Sequence, residues 1–260
     1  MTPRTLLLLS GLGVLSSAFA GYHIESVSLP PKVTSGLSGV AFTPKGSLVI
    51  TTRYGEIWVR DSDNQQWKRF AQGLDEPMGL VVESDREMYI AHRPELARVV
   101  DLDGDGVADL YESVAGNWGL SHNYHEFFFG LRRDQAGNFY GAPSLDSLAE
   151  KRSADKTRGT PQPSLVLDKP NHASDLPYRG WVMKITPEGK AVPFASGFRQ
   201  PAGMGMSPEG DLFVTDNQGD YKPSCGLLHV SEGDFHGHAE SLKWESGYTA
   251  GSVSRESAWK

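Results

Sequence analysis

One phrase, written four times, constrains what this chain can fold into. It runs Leu37-Ser-Gly-Val-Ala-Phe-Thr-Pro-Lys-Gly-Ser-Leu-Val-Ile-Thr-Thr52, then returns from Pro77 to Ala91, from Phe128 to Ala142 and from Pro201 to Asp216. Each copy is a short apolar run, a polar turn with Gly or Asp, and a second apolar run, which is the pattern of a β-hairpin. A further strand pair follows the first copy, Gly55–Arg60 and Trp67–Ala71, and another spans Gly180–Thr186 and Ala191–Ala195. The unit is therefore four strands, and the first two units start 40 residues apart, the length of a propeller blade. One such sheet has two apolar faces and cannot bury them alone; stacking the sheets around an axis buries both. The expected fold is an all-β propeller of four-stranded blades over residues 21–242, with a polar tail at 243–260.

The first 20 residues stand outside that pattern. Arg4, the apolar run from Leu6 to Leu15 and the small-x-small triplet Ala18-Phe19-Ala20 form the layout of a secretory signal peptide. The apolar run is too short to span a bilayer, which takes about 20 residues, and no later stretch is apolar enough. A periplasmic or secreted protein is expected, with cleavage near Ala20. Loss of Arg4 with the leader takes the formal net charge from −7 to −8. A nucleic-acid partner is excluded on that balance, because phosphate binding needs a basic face. Cys225 is the only cysteine, so no internal disulfide is available; a partly buried small residue is expected there.

The remaining 240 residues, at about 40 per blade and with one long insertion, give four to five blades. The insertion, Ser144 to Tyr178, carries four prolines and one polar helical stretch, Ser147–Lys156. A loop of that length is functional or a surface excursion.

Three constellations carry chemistry. Asp101-Leu-Asp-Gly-Asp-Gly-Val-Ala-Asp-Leu-Tyr-Glu112 places carboxylates at loop positions 1, 3, 5, 9 and 12 and Gly106 at position 6, the spacing of a calcium loop. Asp101, Asp103, Asp105, Asp109 and Glu112 are the expected ligands, in a turn between strands, with a structural role. The second is His122-Asn-Tyr-His125-Glu126 before the third hairpin. Polar aromatic residues entering an innermost strand point to the channel, where a histidine can serve as general base; any pair of His122, His125 and Glu126 could instead hold a metal, and a set of hydrogen-bonded loop residues is the equal alternative. The third is Gly197-Phe-Arg-Gln-Pro-Ala-Gly203 before the fourth hairpin. His236 and His238, in Gly233–His238, read as a blade-closing turn, with metal ligation the lesser option.

The run from Gly197 to Asn217, with Thr215-Asp-Asn217 closing its second strand, resembles the pyrroloquinoline-quinone-dependent glucose/sorbosone dehydrogenases. So does the spacing of His125, Gly130, Asp134, Gly137 and Tyr140. The likeness extends from about Leu37 to His238. It implies a six-bladed family, of which this chain would be an incomplete member, and an exported sugar or aldose dehydrogenase passing hydride to a quinone. On that resemblance His125 is the base for the substrate hydroxyl. Arg199 holds the quinone oxygen, Gln200 and Asn217 contact the cofactor, and Asp216 and Asp220 lie near a cofactor-side calcium. Gln200 stands where the family often has asparagine. The implied partners are a small sugar substrate or glycan and an electron-acceptor protein. Two other readings stay open: a non-catalytic glycan- or protein-binding propeller, and a metal-dependent gluconolactonase-like hydrolase.

Overall fold

A computed structural model describes residues 24–121, 123–145, 172–174 and 176–248. The leader, His122, the 147–156 stretch and most of the tail lie outside them. Fifteen strands form four antiparallel sheets in chain order. Blade 1 is β1 (Leu37–Phe42), β2 (Leu48–Thr52), β3 (Glu56–Arg60) and β4 (Trp67–Ala71). Blade 2 is β5 (Gly79–Ser84), β6 (Glu87–His92), β7 (Glu95–Val100) and β8 (Leu110–Ala115). Blade 3 is β9 (Phe128–Arg133), β10 (Phe139–Pro143), β11 (Trp181–Ile185) and β12 (Ala191–Ser196). Blade 4 has three strands, β13 (Gly203–Met206), β14 (Leu212–Asp216) and β15 (Gly226–Val230). The four repeated phrases are the first two strands of each blade, and the architecture is a four-bladed propeller.

The apolar faces meet as the repeat logic requires. Val49, Ile57 and Phe70 of blade 1 pack on Met88, Ile90 and Val99 of blade 2. Leu96 and Trp118 at the far side of blade 2 pack on Phe128 and Leu131 of blade 3, with Trp118 stacked flat on Phe128 at 4.3 Å. Val182 and Phe198 close on Leu212 and Val214 of blade 4. Each fully buried side chain of this size contributes roughly 1.5–3 kcal/mol. The outer faces differ: Val40, Phe42 and Leu227 are 64 %, 66 % and 70 % exposed.

The innermost strands β1, β5, β9 and β13 surround a cavity of about 190 Å³ lined by equivalent segments of all four blades. β5 and β9 run in one direction, as the parallel bridge between Met78 and Phe129 records, and the repeated blade topology gives β1 and β13 the same sense. The repeated glycine of the phrase explains their close approach, for a Cβ on Gly79 would overlap the Gly130 carbonyl oxygen. All four innermost strands start at one end of the channel, the upper face. The segments that enter them, and the links between second and third strands, gather there; hairpin turns and the Asp101–Asp109 loop lie on the lower face.

Where the sequence pattern suggests a blade-closing turn at Gly233–His238, the chain instead runs beside β12. Phe235 forms a parallel bridge with Ser196, and His238 N–H donates to Gly197 C=O at 2.9 Å. A short 3-10 helix, Ala239–Trp244, follows, so part of the predicted tail is folded. Cys225 is exposed, contrary to the expectation of partial burial.

Candidate functional site

The turn after β10 ties the two sequence-predicted centres together. Ser144 Oγ donates to His125 C=O at 2.7 Å, and the next residue, Leu145, donates its N–H to Arg199 C=O at 2.9 Å. One turn thus holds the backbones of His125 and Arg199, where the chain enters β9 and β13 on the upper face. Both are half-buried. His125 N–H donates to Asn123 Oδ1 at 2.9 Å, and its Nδ1 is buried without a hydrogen-bond partner.

Asp216, at the end of β14, builds the floor under Arg199. Its carboxylate accepts from the Arg199 and Gln200 amides, at 3.1 and 2.8 Å, and from Lys222 Nζ at 3.2 Å. Thus Asp216 is committed to the backbone and to Lys222, and the guanidinium of Arg199 makes no ion pair among the described residues. Its one hydrogen bond goes to Gln200 Oε1 at 3.2 Å. Asn217 Nδ2 donates to the same oxygen at 3.2 Å, which leaves the Gln200 NH2 group turned away as a donor. Burial pulls the Arg199 guanidinium below its ordinary value, against the pull of Asp216 and Asp220; a cation held so strongly basic stays charged throughout the physiological range.

Two further histidines complete the site. His172 N–H donates to Asp220 Oδ2 at 2.8 Å. Burial lowers the His172 pKa, Arg199 and His125 lower it further, and Asp220 opposes them, so all four groups share one electrostatic neighbourhood. His238 is fully buried, and neither ring nitrogen finds a partner. Its pKa is pushed down to about 3, first by burial and then by nearby His172, Arg199 and Lys222, with Asp220 pulling the other way. It is thus a neutral imidazole at pH 7. Tyr221 meets it edge-on at 4.9 Å.

Below the histidines, buried polar groups fix residues 119–121 and 123–127. Glu126 is fully buried; it accepts from Ser121 N–H at 3.1 Å, from the Ser121 hydroxyl and from the Ser174 hydroxyl at 2.8 Å. Both carboxylate oxygens of Glu126 are thus engaged by serines, and the His122 option for a metal pair lies outside the described residues. Arg179, also fully buried, donates to Phe127 C=O and Gly119 C=O. Arg93 donates to Ser121 C=O and Asn123 C=O, both at 2.7 Å.

The acidic loop is elsewhere. It joins β7 to β8 on the lower face and leans on blade 1, where Ala108 N–H donates to Phe70 C=O at 2.8 Å and Lys68 Nζ reaches Asp105 C=O. Asp101 accepts from the Gly104 and Gly106 amides at 2.6 and 2.9 Å, and Asp109 from Leu102 N–H at 2.7 Å. Burial raises the Asp101 carboxyl, but these amides and Arg86 outweigh it and leave the group below its ordinary value. Asp101, Asp103 and Asp109 bring oxygens within 4.8 Å of one another, a hard donor set suited to Ca²⁺. Asp105 and Glu112 stay outside that cluster. Glu112 lies on β8 and pairs with Arg98 across the strand at 3.1 Å. The two other expected calcium neighbours, Asp216 and Asp220, form no such cluster among the described residues.

The fold and site together define a propeller with a polar, histidine- and arginine-bearing site at one mouth of its channel. No family model and no curated protein matches the chain. Solved structures do. The quinone-bound aldose sugar dehydrogenase of Streptomyces coelicolor aligns with a TM-score of 0.57 at 15 % identity, covering 85 % of this chain and 66 % of that one. The apo aldose sugar dehydrogenase of Escherichia coli gives 0.56 at 14 %, covering 78 % and 62 %. An oxidoreductase of Thermus thermophilus described as a glucose dehydrogenase gives 0.53 at 18 %, covering 77 % and 64 %. The likeness establishes the shared propeller fold, and the chain spans less than two thirds of the length of each. Among the described residues no helix is long and apolar enough to cross a membrane.

Proposed function

We propose that this chain acts as an exported propeller of the sugar-dehydrogenase type, oxidising an aldose hydroxyl or aldehyde hydrate with a quinone as hydride acceptor. The observation that carries the reading is the Arg199 guanidinium, half-buried where the chain enters β13, tied through one turn to the His125 backbone and free of any ion pair among the described residues. Pyrroloquinoline quinone is a planar tricarboxylate whose electron-poor carbonyl accepts hydride when the cofactor is bound. The donors present suit such an anion: the Arg199 guanidinium and the Gln200 amide would hold it, with Asn217 fixing the Gln200 rotamer. A fixed cation stabilises charge where it develops, at no reorganisation cost. His125 would take the proton of the sugar hydroxyl, so that hydride and proton leave the substrate together. Burial lowers the pKa of both His172 and His238, so neither ring adds a positive charge near Arg199 as readily as a free imidazole would. Electrons would pass on to an acceptor protein in the periplasm or outside the cell, in keeping with the signal-type leader. The Asp101–Asp109 loop would bind Ca²⁺ as a structural clip between blades 1 and 2.

The test is reconstitution of the full chain with pyrroloquinoline quinone and Ca²⁺, followed by dye reduction with aldoses. Sugar-dependent reduction is expected, and His125→Gln should slow it by about 10²–10⁴ while retaining the quinone. Quinone binding or dye reduction that fails in the wild type leaves the non-catalytic binding propeller as the reading.

A further inference from the structure

A second pocket lies on the outer edge of blade 3, away from the channel. The chain returning from β15 covers β12, with Gly233 N–H donating to Phe194 C=O at 2.8 Å and His236 N–H to Ser196 C=O at 2.9 Å. The 3-10 helix then swings Trp244 back against Tyr178, whose other neighbour is Trp181. These three rings, with Ser196, Asp234 and Glu245, line a cavity of about 550 Å³.

The rings form walls rather than a stack. Tyr178 stands at 88° to Trp181 and at 48° to Trp244, each at 6.3 Å between centroids. Tyr178 is also held at φ 59°, a left-handed backbone that bulky residues seldom adopt, and such conformations gather at ligand-holding positions. The charge of the lining has one sign, because Asp234 and Glu245 are acidic and no lysine or arginine lines the cavity among the described residues. Nearby bases are committed or neutral. Lys222 is bound to Asp216, and Lys243 is buried against Glu240 at 3.8 Å. His236 approaches Asp234 at 3.9 Å, and burial holds its pKa below the ordinary value.

We propose that this pocket binds a small quaternary organic ammonium ion of the choline type. Aromatic faces attract a cation within about 6 Å of their centroids, and the two carboxylates supply the countercharge. A sugar ring would also stack on tryptophan, but it carries no positive charge to meet Asp234 and Glu245, which no lysine or arginine balances among the described lining residues. The site is separate from the channel mouth and does not depend on the quinone reading.

The test is a tryptophan-fluorescence titration of the full chain with choline, with its uncharged isostere 3,3-dimethylbutan-1-ol, and with glucose. Choline should saturate, and the isostere should bind about tenfold or more weakly, the loss expected when a cation–π contact and its countercharge have no cation. Trp244→Ala should weaken choline about tenfold. Glu245→Gln, which keeps shape and leaves the melting temperature unchanged, should weaken it several-fold, with quinone binding unaltered in both variants. Equal affinity for the isostere, preference for glucose, no saturable choline binding, or choline affinity unchanged in Glu245→Gln would each overturn the proposal.

Discussion

The two polar centres of this molecule are built in opposite ways. The lower-face loop is local: Asp101, Asp103 and Asp109 meet within nine residues of chain, and their partners are the amides of the same turn. The upper-face site is assembled from four separate connections of blades 3 and 4, with His125 entering blade 3, His172 between its middle strands, Arg199 entering blade 4, and His238 beyond β15. A local centre survives damage to the stack and fails by its own residues. An assembled one depends on the buried groups that hold its segments together.

The largest test of that difference is Arg179→Met. It strips two buried carbonyls of their donor beneath the upper site, and should cost about 3 kcal/mol in urea unfolding while leaving Ca²⁺ binding at the lower loop intact. Next comes pH. A histidine whose folded pKa lies below its unfolded value binds fewer protons when folded, so the contribution of His238 is complete above pH 6.5. It is lost as pH falls from there toward 3, the value to which burial pushes the ring. Between pH 6.5 and 5 that amounts to about 2 kcal/mol, with buried His172 and His236 sloping the same way. His238→Leu should flatten most of the slope measured by chemical denaturation, and an unchanged slope would place the titration elsewhere. The smallest effect is at the lower loop, where Asp101→Asn loses an acceptor for the Gly104 or Gly106 amide. It should cost about 1–2 kcal/mol and abolish stabilisation by added Ca²⁺ in thermal melts, with quinone binding untouched.

The same contrast governs what the residues reveal in one dimension. The hairpins are legible because period-two apolar runs and Gly/Asp turns are local signals, and three of the four blades follow the predicted strand count. Asp101, Asp103 and Asp109 are legible for the same reason. Glu112 is not, because the calcium-loop spacing presumes a helix after position 9. Here the loop feeds a strand, whose extended rise carries Glu112 to Arg98 instead. The orientation of Glu126 is not legible, because sequence does not say which way a carboxylate turns; two serines, one of them 48 residues away, hold it. His172 was hidden in a proline-rich insertion and His238 in an apparent turn, and only the packing of distant segments identifies them. The phrase's repeated glycine was in view throughout, yet its reason, the crowding of Gly79 against Gly130 at the channel wall, is a contact between blades.

The claim on which the account turns is that the upper face forms one anion-holding site around Arg199. A titration of the full chain with pyrroloquinoline quinone, followed by tryptophan quenching, tests it most directly. Saturable binding is expected, weakened about tenfold or more in Arg199→Gln, the worth of one charge-assisted contact, and unchanged in Asp101→Asn. Binding that is indifferent to Arg199, or that follows Asp101 instead, would contradict it.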